Sequence, residues 1–300
     1  MLPSFTGVPG AELAVLAMAF AWGATLGSFI NVVVHRVPRR LSVVVGASRC
    51  PACGTPILPR DNIPVVGWIL LGGRCRACSA AISPRYPLVE AACGAMACAV
   101  AAVELVGGGG SLPWLGSTSW AGIDRLLMHG DFRLAGSWAL HAGILMLLVA
   151  WSLLASPPAS HHVSERSAGA ALAAVVAVVV ALPDLGPPGL ALDGARWPDS
   201  PRASAAIATA TGIAAGWLLG IVTGRTNDPW SLATLGAALG WQTLTVVATL
   251  TAGARGVVAA LPGGGRRVID PLPAVAAAAI VFWRPLRTAF ATLATWVAGG

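Results

Sequence analysis

Glu12 to Arg40 reads ELAVLAMAFAWGATLGSFINVVVHRVPRR, an almost uncharged apolar run to Val34 and then Arg36, Arg39 and Arg40 in quick succession. A run of about 20 apolar residues spans a bilayer as a helix, because a helix satisfies its backbone polar groups internally. The run is too long for a signal-peptide core and has no small-residue cleavage site ahead of its basic flank. Arginine accumulates on the cytoplasmic side of membrane helices, so the run should enter from outside at Glu12 and emerge inside at Arg36.

The cluster continues well past Arg40. Residues 36–85 hold eight of the chain's 19 basic residues, all arginine, against the single acid Asp61. Such a cluster also suits phosphate binding, but apolar runs flank it on both sides, so a cytoplasmic loop is expected and no nucleic-acid partner. Across all 300 residues 56% are hydrophobic and 10% charged, the net charge is +7, and mean hydropathy is +0.75. Soluble globular and disordered chains are both excluded by that balance. Intramembrane ionisable residues are few, so the sequence offers no ion path for a transporter or channel.

Further apolar runs lie at 88–106, 138–156, 168–183, 204–224, 231–240, 242–261 and 271–283. The run at 231–240 is a half-span unless it merges with its neighbour. The fold class is therefore an all-α polytopic membrane protein of seven or eight transmembrane helices. It divides into a first helix (1–34), a cytoplasmic loop domain (35–86) and a helical membrane domain (87–300). Glycine- and proline-rich links at 107–118, 184–201 and 262–265 read as loops. No internal repeat is read. The arginine distribution places Asp228 and the Arg266-Arg267 pair on the cytoplasmic face with the 35–86 loop.

Cys50-Pro-Ala-Cys53 and Cys75-Arg-Ala-Cys78 form two CxxC knuckles separated by 21 residues. Each knuckle presents two sulfurs to one ion, and a reducing cytoplasm disfavours disulfides. Cys50, Cys53, Cys75 and Cys78 are thus expected to bind structural zinc, stapling a loop too small to bury a core of its own. Four thiolates leave no open coordination position. Cys93 and Cys98, inside the second helix, read as small apolar residues.

In order, Gly27-Ser28-Phe29-Ile30-Asn31, His35-Arg36-Val37-Pro38, the first CxxC, Asp61-Asn62-Ile63-Pro64, Gly67-Trp68, the second CxxC and Ser83-Pro84-Arg85-Tyr86-Pro87-Leu88-Val89-Glu90 resemble the N-terminal region of bacterial prepilin leader peptidases. Weaker echoes follow at 235–242 and 270–273. The resemblance implies a multi-pass inner-membrane enzyme with its N-terminus outside. Such an enzyme removes basic leaders from type IV prepilins or type II secretion pseudopilins, and in many members methylates the new N-terminus from S-adenosylmethionine. Prepilin or pseudopilin substrates and the lipid bilayer are the partners implied. No glycine-rich nucleotide loop stands out, so the methyl donor rests on the resemblance alone.

The family's proteolysis needs two aspartates at the cytoplasmic face, one to deprotonate water and one to donate a proton to the scissile carbonyl. The second aspartate motif falls on Arg225-Thr226-Asn227-Asp228, which keeps Asp228 but neither glycine, and Trp230 replaces the family's lysine. Asp228-Pro229 also suits a helix start, with Asp as N-cap and Pro at the first helical position. The first aspartate should follow the third helix, where the sequence has Pro157 instead, with Glu165 the nearest carboxylate. Asp184 resembles a later aspartate of the family but falls on the opposite side by hairpin count. His161 and His162 in the same loop read as interfacial. Two functions stay open: a membrane aspartic peptidase using Asp228 with Glu165 or Asp184, and a catalytically degenerate relative serving as a binding or assembly module.

Overall fold

The computed structural model describes residues 10–108, 122–155, 172–177, 191–192, 195–196, 201–223, 228–260 and 270–282. The first long helix, α1, runs Ala11–Arg36 and closes with a 3-10 turn at Val37–Arg39. A short helix, α2, covers Val66–Leu70. Helix α3 covers Arg85–Ala101 and continues as a π turn over Ala102–Val106. Then come α4 (Gly122–Met128), α5 (Phe132–Ala155), α6 (Pro201–Thr223), α7 (Asp228–Ala260) and α8 (Leu272–Val281). A two-residue antiparallel pair, Ala191–Leu192 with Ala195–Arg196, is the one sheet among the described residues.

Among the described residues three helices are long and apolar enough to cross a membrane: Ala11–Arg39, Arg85–Val106 and Phe132–Leu154. Their apolar residues lie all round the helix, as a bilayer requires and a soluble surface helix does not show. On α1, Leu13 and Met18 point outward with about 70% of their surface open (73% and 71%). Of the 168–183 run, only 172–177 is described, and it is helical.

The runs at 231–240 and 242–261 are not two spans. They form one 33-residue helix, α7, because Gly240 does not end it and α6 packs alongside. A Cβ at Gly212 would strike the backbone of Gly236, and one at Gly216 would strike that of Leu232. At 1.5 Å per residue, α7 carries the chain about 50 Å away from Asp228. Arg266 and Arg267, expected on the cytoplasmic face with Asp228, lie outside the described residues.

Small residues decide the α1–α3 pairing. A Cβ at Gly23 would sit 2.5 Å from the Cys93 carbonyl oxygen, and one at Gly27 would sit 2.9 Å from the Glu90 Cα. Phe20 covers Gly94 from the α1 side. Lipid is as apolar as a leucine surface, so close backbone approach and dispersion hold such helices together. The buried cluster that follows joins Ile30 and Val34 of α1 to Val89 and Cys93 of α3, Leu145 of α5 and Leu235 of α7.

Candidate metal centre

Between α1 and α3 the chain has almost no interior. From residue 37 to 84 only Cys50, Gly67 and Gly73 are buried, so hydrophobic burial cannot hold this segment and polar contacts must. The Arg36 guanidinium starts the work by donating to the carbonyls of Ser42 (2.9 Å), Val45 (3.2 Å), Gly46 (2.9 Å) and Ala47 (3.3 Å). Planar and always charged, an arginine can gather several carbonyls where a lysine cannot.

The two knuckles are copies of one design, offset by 25 residues. The Cys50 N–H donates to Thr55 O and the Cys75 N–H to Ala80 O; Gly54 and Ser79 donate back to Cys50 O and Cys75 O. Ile57 donates to Ser48 O and Ile82 to Gly73 O. Even the preceding arginines match, with Arg49 donating to Gly54 O and Arg74 to Ser79 O. Gly54 and Ser79 both take positive φ (72° and 58°). The sequence carries this repeat openly as Arg49-Cys-Pro-Ala-Cys53 and Arg74-Cys-Arg-Ala-Cys78, contrary to the expectation of no internal repeat.

The structure brings the four expected cysteines together, with all four sulfurs within 4.8 Å of one another and Cys50 Sγ 3.9 Å from Cys78 Sγ. Tetrahedral Zn–S bonds of about 2.3 Å require sulfurs about 3.8 Å apart, so the cluster fits a divalent ion. The thiols' electrostatics agree. Thr55, through its hydroxyl and backbone N–H, pulls Cys53 down to about 6, and the backbone N–H groups of Cys78 and Ala77 lower Cys75. The Ala80 N–H favours the Cys78 thiolate, yet the nearby sulfurs of Cys53, Cys75 and Cys50, with desolvation, push it up to about 12. Four thiolates this close repel unless a cation sits among them.

The centre is tied to the helices by residues between the knuckles. Arg76 forms a two-point ion pair with Asp61 (2.8 and 2.6 Å), and the Asp61 backbone rests against Gly67. Trp68 donates to Ile82 O at 3.0 Å and covers Gly73. Glu90 of α3 accepts from the Val65 N–H at 2.7 Å. That bond holds Val65 at φ 63°, a conformation costly for a β-branched residue. Asn31 of α1 donates to Tyr86 O at 3.2 Å. The polar motif residues from Asn31 to Glu90 thus have structural work, seating the cysteine loop on the helix pair.

The candidate catalytic carboxylates are less complete. Asp228 is the first residue of α7. Glu165 and Asp184 lie outside the described residues, as do Pro157, His161 and His162. One carboxylate–imidazole pair was not foreseen: Glu104, in the π turn after α3, meets His141 of α5 with Oε1 and Nδ1 2.6 Å apart, and both are buried. A carboxylate inside an apolar run was the available signal.

Residues 21–104 match the Bacterial Peptidase A24 N-terminal domain. Among curated proteins, the chain is similar to prepilin leader peptidase/N-methyltransferases. The Klebsiella pneumoniae protein is 48% identical over 90 residues (26% of this chain, 40% of the relative). The Myxococcus xanthus protein is 51% identical over 71 residues (24% and 21%), and the Aeromonas salmonicida protein is 33% identical over 153 residues (41% and 52%). The chain spans about half the length of these relatives, or less. No solved structure matches. The family resemblance read from Gly27 to Glu90 is the one these comparisons return.

Proposed function

We propose that the chain is a prepilin leader peptidase-like protein of the bacterial inner membrane, an intramembrane aspartic endopeptidase that removes basic leaders from type IV prepilins or type II secretion pseudopilins. The observation that carries this reading is the ordered motif from Gly27 to Glu90, folded as one four-cysteine loop seated on two membrane-length helices. The chain crosses the bilayer seven times, with 231–240 and 242–261 fused in α7, and its N-terminus lies outside. Residues 35–86 form a cytoplasmic domain and 87–300 the helical peptidase domain. Zinc at Cys50, Cys53, Cys75 and Cys78 is structural, because four sulfurs fill its tetrahedron and leave no site for water.

Asp228 is one of the two catalytic carboxylates, and its place at the first turn of a long helix supports that role. Glu165 is the first candidate partner and Asp184 the second. One carboxylate takes a proton from water while its protonated neighbour donates to the scissile carbonyl. Methylation of the new N-terminus from S-adenosylmethionine rests on the relatives' names.

A second reading is favoured by one observation: Pro157 stands where the family's first aspartate belongs. On that reading the chain is a binding or assembly module that keeps the cysteine loop and lacks the acid pair. Co-expression with a prepilin in cells lacking other prepilin peptidases separates the two. A product shortened to the residue after the leader supports the peptidase, and an intact prepilin supports the module.

A further inference from the structure

Helix α2 turns an apolar face away from the protein. Val66, Ile69 and Leu70 lie at helical spacing and are exposed, Leu70 by 72%, as is Ile63 just before them, while Gly67 faces inward and Trp68 packs on Gly73. So much apolar surface on a five-residue helix is unfavourable in water, at about 25 cal/mol per Å². The level of α2 is fixed by its tether. The Val65 N–H that opens it is bound to Glu90, and Glu90 lies about 7–8 Å along α3 from Arg85. The same stretch of α3 is packed against Gly27 of α1, well inside the apolar length of both helices. Helix α2 is therefore tied at its opening residue to the first turns of α3, beside the last turns of α1, while Gly67 and Trp68 rest on the Asp61 backbone and Gly73 at the base of the knuckles.

The charge of the loop that carries α2 suits an anionic surface. The segment carries eight arginines and one acid, Asp61, whose carboxylate is already neutralised by Arg76. We propose that α2 is a membrane anchor lying in the headgroup–acyl boundary of the leaflet on the cysteine-loop side, with Val66, Ile69 and Leu70 against lipid and the loop's arginines drawn to anionic headgroups. Basic residues beside an apolar interfacial face give this mode of binding, with a depth of about 5–10 Å. The loop is then held at three points: the thiolate cluster, the Glu90 contact and the bilayer itself. The proposal rests on α1 and α3 crossing the membrane.

Photocrosslinking of the full chain in vesicles of phosphatidylcholine and phosphatidylglycerol tests it. p-Benzoylphenylalanine replaces Leu70, with Met18 on the lipid side of α1 as the positive reference and Ala52 in the first knuckle as the aqueous one; adducts are read by mass. Several-fold more lipid adduct at Leu70 than at Ala52, approaching that at Met18, is the expected result. Lipid adduct at Met18 but no more at Leu70 than at Ala52 overturns the anchor alone. Adduct from Leu70 to a second copy or to another protein overturns it as well, since the face is then covered by protein. Absence of lipid adduct at Met18 overturns both the anchor and the membrane-spanning reading beneath it. The same substitution at Ile69 repeats the measurement should the Leu70 variant fail to fold.

Discussion

His141 Nδ1 and Glu104 Oε1 lie 2.6 Å apart between α5 and the π turn that ends α3, with neither side chain reaching solvent (2% and 0% exposed). A π turn re-aims the residues it carries, and here it carries Glu104. The contact joins two membrane-length helices, one from the matched N-terminal domain and one beyond it. Glu104→Ala should lower the unfolding midpoint in detergent more than Glu104→Gln, which keeps an acceptor facing the ring. The Ala variant should cost about 1–2 kcal/mol, the scale of interhelical hydrogen bonds in lipid. Removing both partners as Glu104→Leu/His141→Leu should recover part of that loss, since neither member of the pair is then left buried without the other. Equal midpoints for the Ala and Gln variants would show that the contact is not stabilising.

Gly23 and Gly143 both sit inside long helices, yet substitution should move stability in opposite directions. A Cβ at Gly23 would meet the Cys93 carbonyl oxygen at 2.5 Å and the Ala97 Cβ at 2.7 Å, whereas one at Gly143 meets nothing within 4 Å. Gly23→Ala should cost about 1–3 kcal/mol through overpacking of α1 on α3. Gly143→Ala should gain about 0.5–1 kcal/mol from a stiffer unfolded chain. Thermal midpoints of the two variants against the parent chain decide this, and a destabilising Gly143→Ala would contradict it.

With so little buried between residues 37 and 84, the cysteine loop should depend on its ion for order. Serine at any of Cys50, Cys53, Cys75 or Cys78 should lower the zinc content of the purified chain and open residues 41–83 to protease while leaving α1 and α3 intact. Protons compete with metal for thiolates, so zinc should also leave as pH falls. Zinc content measured by atomic emission, with protease digestion alongside, checks each variant. Full zinc retention by all four would refute a shared site.

The Asp61–Arg76 pair gives the loop a second acid sensitivity. Arg76 holds the Asp61 carboxyl below its usual value. A carboxylate whose folded pKa is lowered contributes stability above its unfolded pKa, about 3.9, and loses it as pH falls through the lower folded value. Asp61→Asn should therefore make the loop easier to digest at neutral pH and leave the difference from the parent smaller below about pH 4. A difference that does not change with pH would assign the effect to packing.

Much of this was legible in the residues. Apolar length followed by arginine marked α1, and the CxxC spacing marked four ligands, because both patterns state their physics locally. The residues leave open whether 231–240 merges with 242–261, since a helix continues through glycine when a neighbour packs on it, and Gly212 against Gly236 is a contact between distant positions. Glu104 with His141 escaped for the same reason: each sits in an apolar run, and only the fold shows that they meet. The knuckle repeat was written in the sequence and needed only the 25-residue offset to be seen. Asp228 was placed at a helix start from Asp-Pro alone, and α7 begins there.

The central claim, that this chain cuts prepilins with Asp228, is tested most directly by leader removal from a co-expressed prepilin, comparing wild type with Asp228→Ala, Glu165→Ala and Asp184→Ala. Each variant is first matched for membrane level and zinc content, so that loss of activity reports chemistry. The account predicts cleavage by wild type, loss of cleavage in Asp228→Ala, and loss in the one further variant that removes the partner acid. Undiminished cleavage by Asp228→Ala would contradict the assignment, and an intact prepilin with the wild-type chain would contradict the peptidase itself.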